Sequence, residues 1–430
     1  HILANKSAYK TGIEVLYWNN IPIKKAIALN SKNQSGSNNE AQMARGLDTL
    51  TIRSLGTTSP PDGHKVRLDC YDPSTGQHLE MEFEWLVSHH PPHFELDKQD
   101  TNATRMSYGF DYDTLSVNGL KATLYGGVSR KGKRPKKSLW TRPTQYPDLM
   151  KGKTVKKPDS EQAFGYIRIY SFAASNADSF VADFNEILQQ LQTEDLSGLI
   201  LDIRGNGGGL ITASELLLAH LTGHDIALQR AQFINSALTL RLCEKYGKGN
   251  AIIDLSDWTR SIDLSRITGD RYSRSYPITK IENRDNLKSI FSKPKVLITD
   301  ALCYSAADMF AAGFQDHGLG KIIGTHANTG AGGANVWSHE ILRNLFDDSD
   351  PETNPLKPLP KGADLSVAVR RILRKNDDPI EDLGIVPDVL HKITKNDLLF
   401  GNIDLIRRAM EVLLAETDMA VDKKREVLVH

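Results

Sequence analysis

The chain has 430 residues, 53 lysines and arginines against 53 aspartates and glutamates, and no formal net charge at pH 7. That length predicts more than one domain, and 40% hydrophobic with 25% charged residues is an ordinary globular composition. Balanced charge argues against a protein that binds phosphate backbones, which needs a standing positive excess. No apolar run nears the roughly 20 residues that cross a bilayer. Three cysteines (Cys70, Cys243 and Cys303) stand far apart without paired spacing, which excludes a disulfide framework and a zinc ribbon.

Residues 12–23 alternate apolar and polar around Asn19-Asn20 and predict a strand, a tight turn and a second short strand. Ile27, Leu29, Met43, Leu47 and Leu50 predict short helices around a Ser/Asn/Gly-rich turn at 34–39. Strands are expected at Lys65–Cys70 and Leu79–Val87, divided by Asp72-Pro73-Ser74. This part reads as a small β-rich domain with a helix or two, ending near residue 110. From about 126 to 158 the chain is basic, with Ser-Arg-Lys-Gly-Lys-Arg-Pro-Lys-Lys at 129–137 and then Lys151, Lys153, Lys156 and Lys157. Within the run 129–137 no aromatic residue interleaves to stack on bases, so a solvated linker or loop is the expectation.

From Phe164 the chain alternates. Strand Phe164–Tyr170 precedes an amphipathic helix Asp178–Leu191, a buried strand Ser197–Ile203 and a helix Ile211–His220. After a long gap come strand Lys295–Thr299, helix Ser305–Phe314 and strand Lys321–Gly324. Such alternation predicts a sheet with helices packed on it. The charged, weakly periodic segment 222–292 reads as an insertion covering the core rather than part of it, and Ile403–Ala415 as a closing helix.

Three stretches carry candidate chemistry. In Leu201-Asp202-Ile203-Arg204-Gly205-Asn206-Gly207-Gly208-Gly209 a buried strand runs into a glycine-dense turn. Glycines admit positive φ and let backbone N–H groups converge on an anion, so a phosphate cradle, an oxyanion hole and a plain tight turn all remain open. The phosphate reading lacks both Gly-Lys-Ser/Thr and the Gly-x-Gly-x-x-Gly order. In Asp300–Phe310 an apolar strand delivers Ser305 to a helix start. Ser305 with Asp308 resembles a capping box, and a serine there also sits in a positive field. The third stretch is Glu381-Asp382-Leu383-Gly384-Ile385-Val386-Pro387-Asp388, an acid followed by a turn and a strand.

Taken together, the three stretches resemble the serine peptidases of the C-terminal-processing, or tail-specific, protease family, which includes the tricorn core. Its Asp-x-Arg-x-Asn-x-Gly-Gly turn is matched by Asp202, Arg204, Asn206, Gly208 and Gly209, and its Ser-Ala-x-Glu/Asp-x-Phe by Ser305, Ala306, Asp308 and Phe310. Gln315-Asp316 and Gly324 fall where the family has them, and the likeness covers about 155–395. Tail-specific members carry a dyad lysine in Thr-x-Gly-Lys. The corresponding Thr329-Gly330-Ala331-Gly332-Gly333 has no lysine. Glu-x-x-Gly-x-x-Pro-Asp, with Glu381, instead resembles the branch of the tricorn core and the chlamydial protease-like activity factor, which uses Ser, His and Glu.

That resemblance implies an α/β fold: a crotonase-like layered catalytic core with an N-terminal PDZ-like β-rich domain. The domains expected are PDZ-like 1–125, basic linker 126–158, peptidase core 159–395 with its insertion at 222–292, and a helical segment 396–430. Ser305 is the implied nucleophile of an endopeptidase, Glu381 the acid that orients an imidazole, and Gly208, Gly209 and Ala306 the oxyanion donors. The histidine is expected upstream of His1. Internal alternatives are His89, His90, His93 and His326, and the His89/His90/His93 group lacks a fourth metal ligand at sensible spacing. No metal or cofactor is expected. The implied substrate is an unfolded or extended polypeptide, with no nucleic-acid partner and a homo-oligomer as a further expectation. The family resemblance implies an extracytoplasmic or secreted location. A non-catalytic binder and a crotonase-type enzyme on the same core are the rival readings.

Overall fold

The structure is a computed structural model that describes residues 12–53, 55, 59–87, 108–110, 140–158, 160–193, 195–247, 254–279, 289–332, 336–346, 354–361, 363 and 365–428. His89, His90, His93 and the basic run at 129–137 lie outside the described residues.

The N-terminal unit opens as the hairpin its sequence predicts. Strands β1 (Glu14–Trp18) and β2 (Ile21–Pro22) pair across Asn19 and Asn20. Both asparagines have positive φ (48° and 64°), the requirement of the tightest hairpin turn. Helices α1 (Ile23–Ser31) and α2 (Asn39–Asp48) follow, then β3 (Lys65–Asp72) and β4 (Gln77–Glu84), in an antiparallel sheet of order β2-β1-β3-β4. Val66, Leu68, Cys70 and Phe83 meet Trp18, Ala26 and Leu50 in a small core of its own. Asn38 caps α2, its side chain accepting from the Ala41 N–H at 2.8 Å.

A short strand β5 (Tyr108–Phe110) leads to the larger unit. Its central sheet uses β6 (Met150–Lys156), β7 (Ala163–Ile169), β8 (Leu196–Asp202), β12 (Lys295–Thr299), β13 (Gly320–Gly324) and β17 (Val389–Leu390). The order is β17-β13-β12-β8-β7-β6, parallel except for β6, which runs antiparallel to β7. Between β8 and β12 lie β9 (Gly208–Leu210), β10 (Arg230–Phe233) and β11 (Tyr276–Pro277). Strands β14 (Val336–Ser338), β15 (Ser366–Ala368) and β16 (Arg370–Leu373) come after β13.

Leu199, Leu201 and Leu297 point to one side of the sheet, where α3 (Ala177–Leu191), α4 (Ile211–Thr222) and α7 (Ala306–Asp316) build the main core. Ile200, Val296 and Ile298 point to the other side and meet Leu405, Ala409 and Leu413 of the closing helix α10 (Ile403–Leu428). Helices on both faces explain why β8 and β12 read as unbroken apolar runs. Among the described residues no helix is long and apolar enough to cross a membrane, and the three cysteines are free and buried.

Two sequence expectations need correction. The second half of the basic stretch is not linker, because Met150–Lys156 is hydrogen-bonded along its whole length to β7. Met150 and Gly152 face the core, while Lys151 and Lys153 stand over the Trp140 ring at 4.2 and 4.7 Å. The alternation was masked by lysines that cover aromatic surface with their stems. Segment 222–292 is likewise part of the core: Phe233, Cys243, Tyr246, Trp258 and Ile262 belong to the main cluster. Helices α5 (Ala237–Tyr246) and α6 (Ser256–Thr268) pack there against a small sheet, β11-β10-β16, completed by residues far downstream. Pairing partners distant in sequence leave no local period. The remaining helices are α8 (His339–Leu345) and α9 (Lys395–Leu399).

Candidate active site

Neighbouring parallel strands β8 and β12 end on the same edge, so the glycine turn and the Ser305 corner emerge side by side; crevices at the carboxyl ends of parallel strands are where such sheets bind ligands. The two turns are laced together. Asp300 accepts from the Gly205 N–H (2.8 Å), and the Asn206 carbonyl accepts from the Tyr304 N–H (3.0 Å). Asn206 is fully buried. Its Oδ1 accepts from the Gly208 N–H at 2.9 Å and its Nδ2 donates to the Ile169 carbonyl at 3.2 Å.

Those bonds sort the predicted oxyanion donors. The Gly208 N–H, one of the donors the family resemblance implied, donates to Asn206 Oδ1 in this structure. Gly209, at φ 143°, lies opposite Gly109 in the β5–β9 ladder, and a Cβ there would stand 2.1 Å from the Phe172 carbonyl carbon. Only glycine fits. Ala306 opens α7, where a helix leaves its first N–H groups without intrahelical partners. The Ala307 N–H beside it is taken by the Tyr304 carbonyl at 3.0 Å.

Ser305 is 4% exposed and sits at φ 55°, ψ −122°, a conformation costly for any residue with a Cβ. The predicted cap does not form. Its side chain makes no capping bond, and among the described residues Oγ is buried without a hydrogen-bond partner. A strained strand-to-helix corner is one geometry in which a serine hydroxyl can be presented.

Asp308, the other half of the expected capping box, turns instead to the loop after β13. Its Oδ2 accepts from the Gly332 N–H at 2.9 Å, and the nearby Thr329 hydroxyl also favours its charged form. Burial pushes the Asp308 carboxyl up to about 7 against both. Thr329 also accepts from the Ile385 N–H through its hydroxyl at 2.7 Å, so this loop is braced between the Ser305 corner and the turn that follows Glu381. Ala331, in the same loop, is buried at φ 59°.

Glu381 draws the N–H of Ile372 onto both carboxylate oxygens (3.0 and 2.9 Å). Burial pushes it up to about 7, and the Asp308 charge adds to that rise while the Ile372 N–H opposes it. Among the described residues neither Ser305 Oγ nor the Glu381 carboxylate has a histidine partner. His326 pairs with the Thr325 hydroxyl at 3.3 Å.

Asp202 and Arg204 do not face Ser305. They lie on the α10 side of the sheet, where Asp202 meets Arg168 (2.5 Å), Arg204 (2.7 Å) and the Tyr166 hydroxyl (2.6 Å). Burial alone would raise the Asp202 carboxyl, but the two guanidiniums overcome it and hold it well below the usual range. Arg204 reaches on to Asn402 at 3.1 Å, tying the turn to the start of α10. Half of the turn motif is therefore a structural brace. Among the described residues no cluster of three His, Cys, Asp or Glu side chains is placed to hold a metal ion.

The site is thus a parallel sheet layered between helices, with a strained serine where strand meets helix. Residues 163–391 match the model of Peptidase family S41, and the chain belongs to that family. A Chlamydia pneumoniae protein is 24% identical over 298 residues, 61% of this chain and 45% of its own. The carboxy-terminal processing protease CtpB of Bacillus subtilis (strain 168) is 36% identical over 61 residues, 14% of this chain and 12% of its own. This chain thus spans less than half the length of either relative. Mature CPAF matches in structure with a TM-score of 0.61 at 17% identity, covering 97% of this chain and 79% of that one. CPAF complexed with lactacystin gives 0.59 at 18%, covering 95% and 78%. The shared feature is the fold.

Proposed function

We propose that this chain is the catalytic part of a serine endopeptidase that cleaves extended polypeptides through an acyl-enzyme on Ser305. The carrying observation is the buried, partnerless Oγ of Ser305 held at positive φ. In the proposed reaction Ser305 attacks the scissile carbonyl, and a histidine takes its proton. Glu381 orients that imidazole and offsets its charge. The N–H groups of Ala306 and Gly209 receive the oxyanion, each contributing about 3–4 kcal/mol. The histidine itself is left unassigned, with a position upstream of residue 1 the expectation.

Two packed units support the proposed architecture: a PDZ-like domain within 1–125, built on β1 to β4, and a crotonase-like layered core over 159–395. The first presents sheet edges suited to adding an extended chain. The helical segment 396–430 closes the second face of the core. Assembly into a homo-oligomer and work outside the cytoplasm complete the proposal.

The absence of a histidine beside Ser305 among the described residues favours a second reading, a non-catalytic binder on the same fold. A fluorophosphonate probe separates the two. Wild-type full-length protein should label at Ser305 and hydrolyse an unfolded protein substrate, and Ser305→Ala should do neither. An unlabelled, inert wild type would leave the binder.

A further inference from the structure

Helix α2 belongs to the N-terminal unit, yet three of its residues or flanking residues reach the loops around Ser305. The Asn38 Nδ2, just before the helix, donates to the Thr329 carbonyl at 2.9 Å. Glu40 accepts from the Ala327 N–H at 3.4 Å. The Arg45 guanidinium lies over the ring of Tyr304, 4.4 Å from its centroid, and Arg45 is only 7% exposed. Tyr304 is the residue immediately before the strained serine.

Backbone also lies close against that ring: a Cβ on Gly330 or Gly332 would come within 2.4 or 2.2 Å of Tyr304 ring atoms. The ring is therefore in contact with both a glycine loop and a guanidinium supplied by the other unit. The backbone of Tyr304 is fixed as well: its N–H is held by Asn206 and its carbonyl by the Ala307 N–H, both at 3.0 Å. A residue in a sparsely populated backbone state persists only where its surroundings over-determine it. Most of those constraints come from the larger unit. The Arg45 contact does not.

We propose that Arg45 is a positioning residue for the nucleophile, clamping Tyr304 against the Gly330–Gly332 loop so that Ser305 keeps its strained geometry and Ala306 its N–H direction. This rests on the reading of Ser305 as nucleophile. The N-terminal unit is then a structural part of the active site, and Asn38 shares the task by fixing Thr329, whose hydroxyl accepts from the Ile385 N–H. Arginine suits the role because its planar cation stacks on an aromatic face.

Hydrogen exchange on residues 1–430 tests the clamp without any turnover. Arg45→Ala should speed exchange at the Tyr304, Ala307 and Gly330 amides while leaving those of Leu199 to Leu201 in β8 unchanged; Arg45→Lys should recover part of the protection. In the full-length protein Arg45→Ala should lower kcat about 10-fold with KM held, since misplacing a reacting group by 1 Å costs up to about 10²-fold. Should Arg45→Ala fail to fold, Asn38→Ala is read in the same two ways. Wild-type exchange at the corner in both variants, with only the melting temperature lowered, would overturn the proposal. Loss of Ser305-dependent turnover in the wild type itself would fall on the peptidase reading, and the exchange data would still decide the clamp.

Discussion

Asp308, in the helix that follows Ser305, lies near enough to Glu381, beyond β16, for its charge to raise the proton affinity of Glu381. Both carboxyls are pushed up to about 7, chiefly by burial. The folded protein then keeps protons that the unfolded chain releases near its ordinary carboxylate values of 3.8 and 4.5. The stability these two groups permit is complete below those values and is lost as pH rises through about 7. His220 and His317, lowered by burial from 6.5, pull the other way as pH falls. Asp308→Asn should therefore gain stability relative to wild type as pH is raised from about 5 to about 8. Urea midpoints of both proteins across that range would show it, and parallel curves would refute it.

Ser305→Ala should abolish turnover and leave the circular dichroism spectrum and melting temperature almost unchanged. A true N-cap serine would cost about 1 kcal/mol on truncation, but this hydroxyl makes no capping bond. Ser305→Gly should melt higher than wild type, because glycine relieves a backbone strain of order 1–3 kcal/mol. A lower melting temperature for the glycine variant would mean that φ 55° is not strained in solution.

Glu381→Gln should cost orders of magnitude in kcat, whereas Lys321→Ala should cost little. Lys321 pairs with Asp388 at 3.2 Å on the surface, an exposed pair worth about 1 kcal/mol or less. Glu381 is the acid proposed to hold the imidazole in its productive tautomer. Steady-state kinetics in the full-length protein make the comparison. The reverse ranking would restore a serine–lysine mechanism.

Residues 1–430 alone should be nearly silent toward a fluorophosphonate, and adding the upstream segment should switch labelling on. Without a base the Ser305 proton has nowhere to go in the transition state. The glycine turn and Ala306 leave at most a trace of rate. Equal, fast labelling of both forms would make an internal histidine the base, with His89, His90, His93 and His326 the first to substitute.

Much of the larger unit was legible because its elements are local and its strands fully buried. The apolar run Lys295–Thr299 coincides with β12, and the Asn19-Asn20 turn with its hairpin. The short spellings around Ser305 and the glycine turn sufficed to point to the family that residues 163–391 match. Periodicity fails where partners are distant. Strand β6 was hidden behind Lys151 and Lys153, and β10 is completed by Arg370–Leu373, more than a hundred residues on. Only the tertiary structure decided that the Gly208 N–H is engaged by Asn206, that Asp308 holds a loop instead of a cap, and that Arg45 of one unit lies on Tyr304 of the other. A sequence carries the identity of a polar group. Which partner satisfies that group depends on chain segments that meet only when the sheet is laid down.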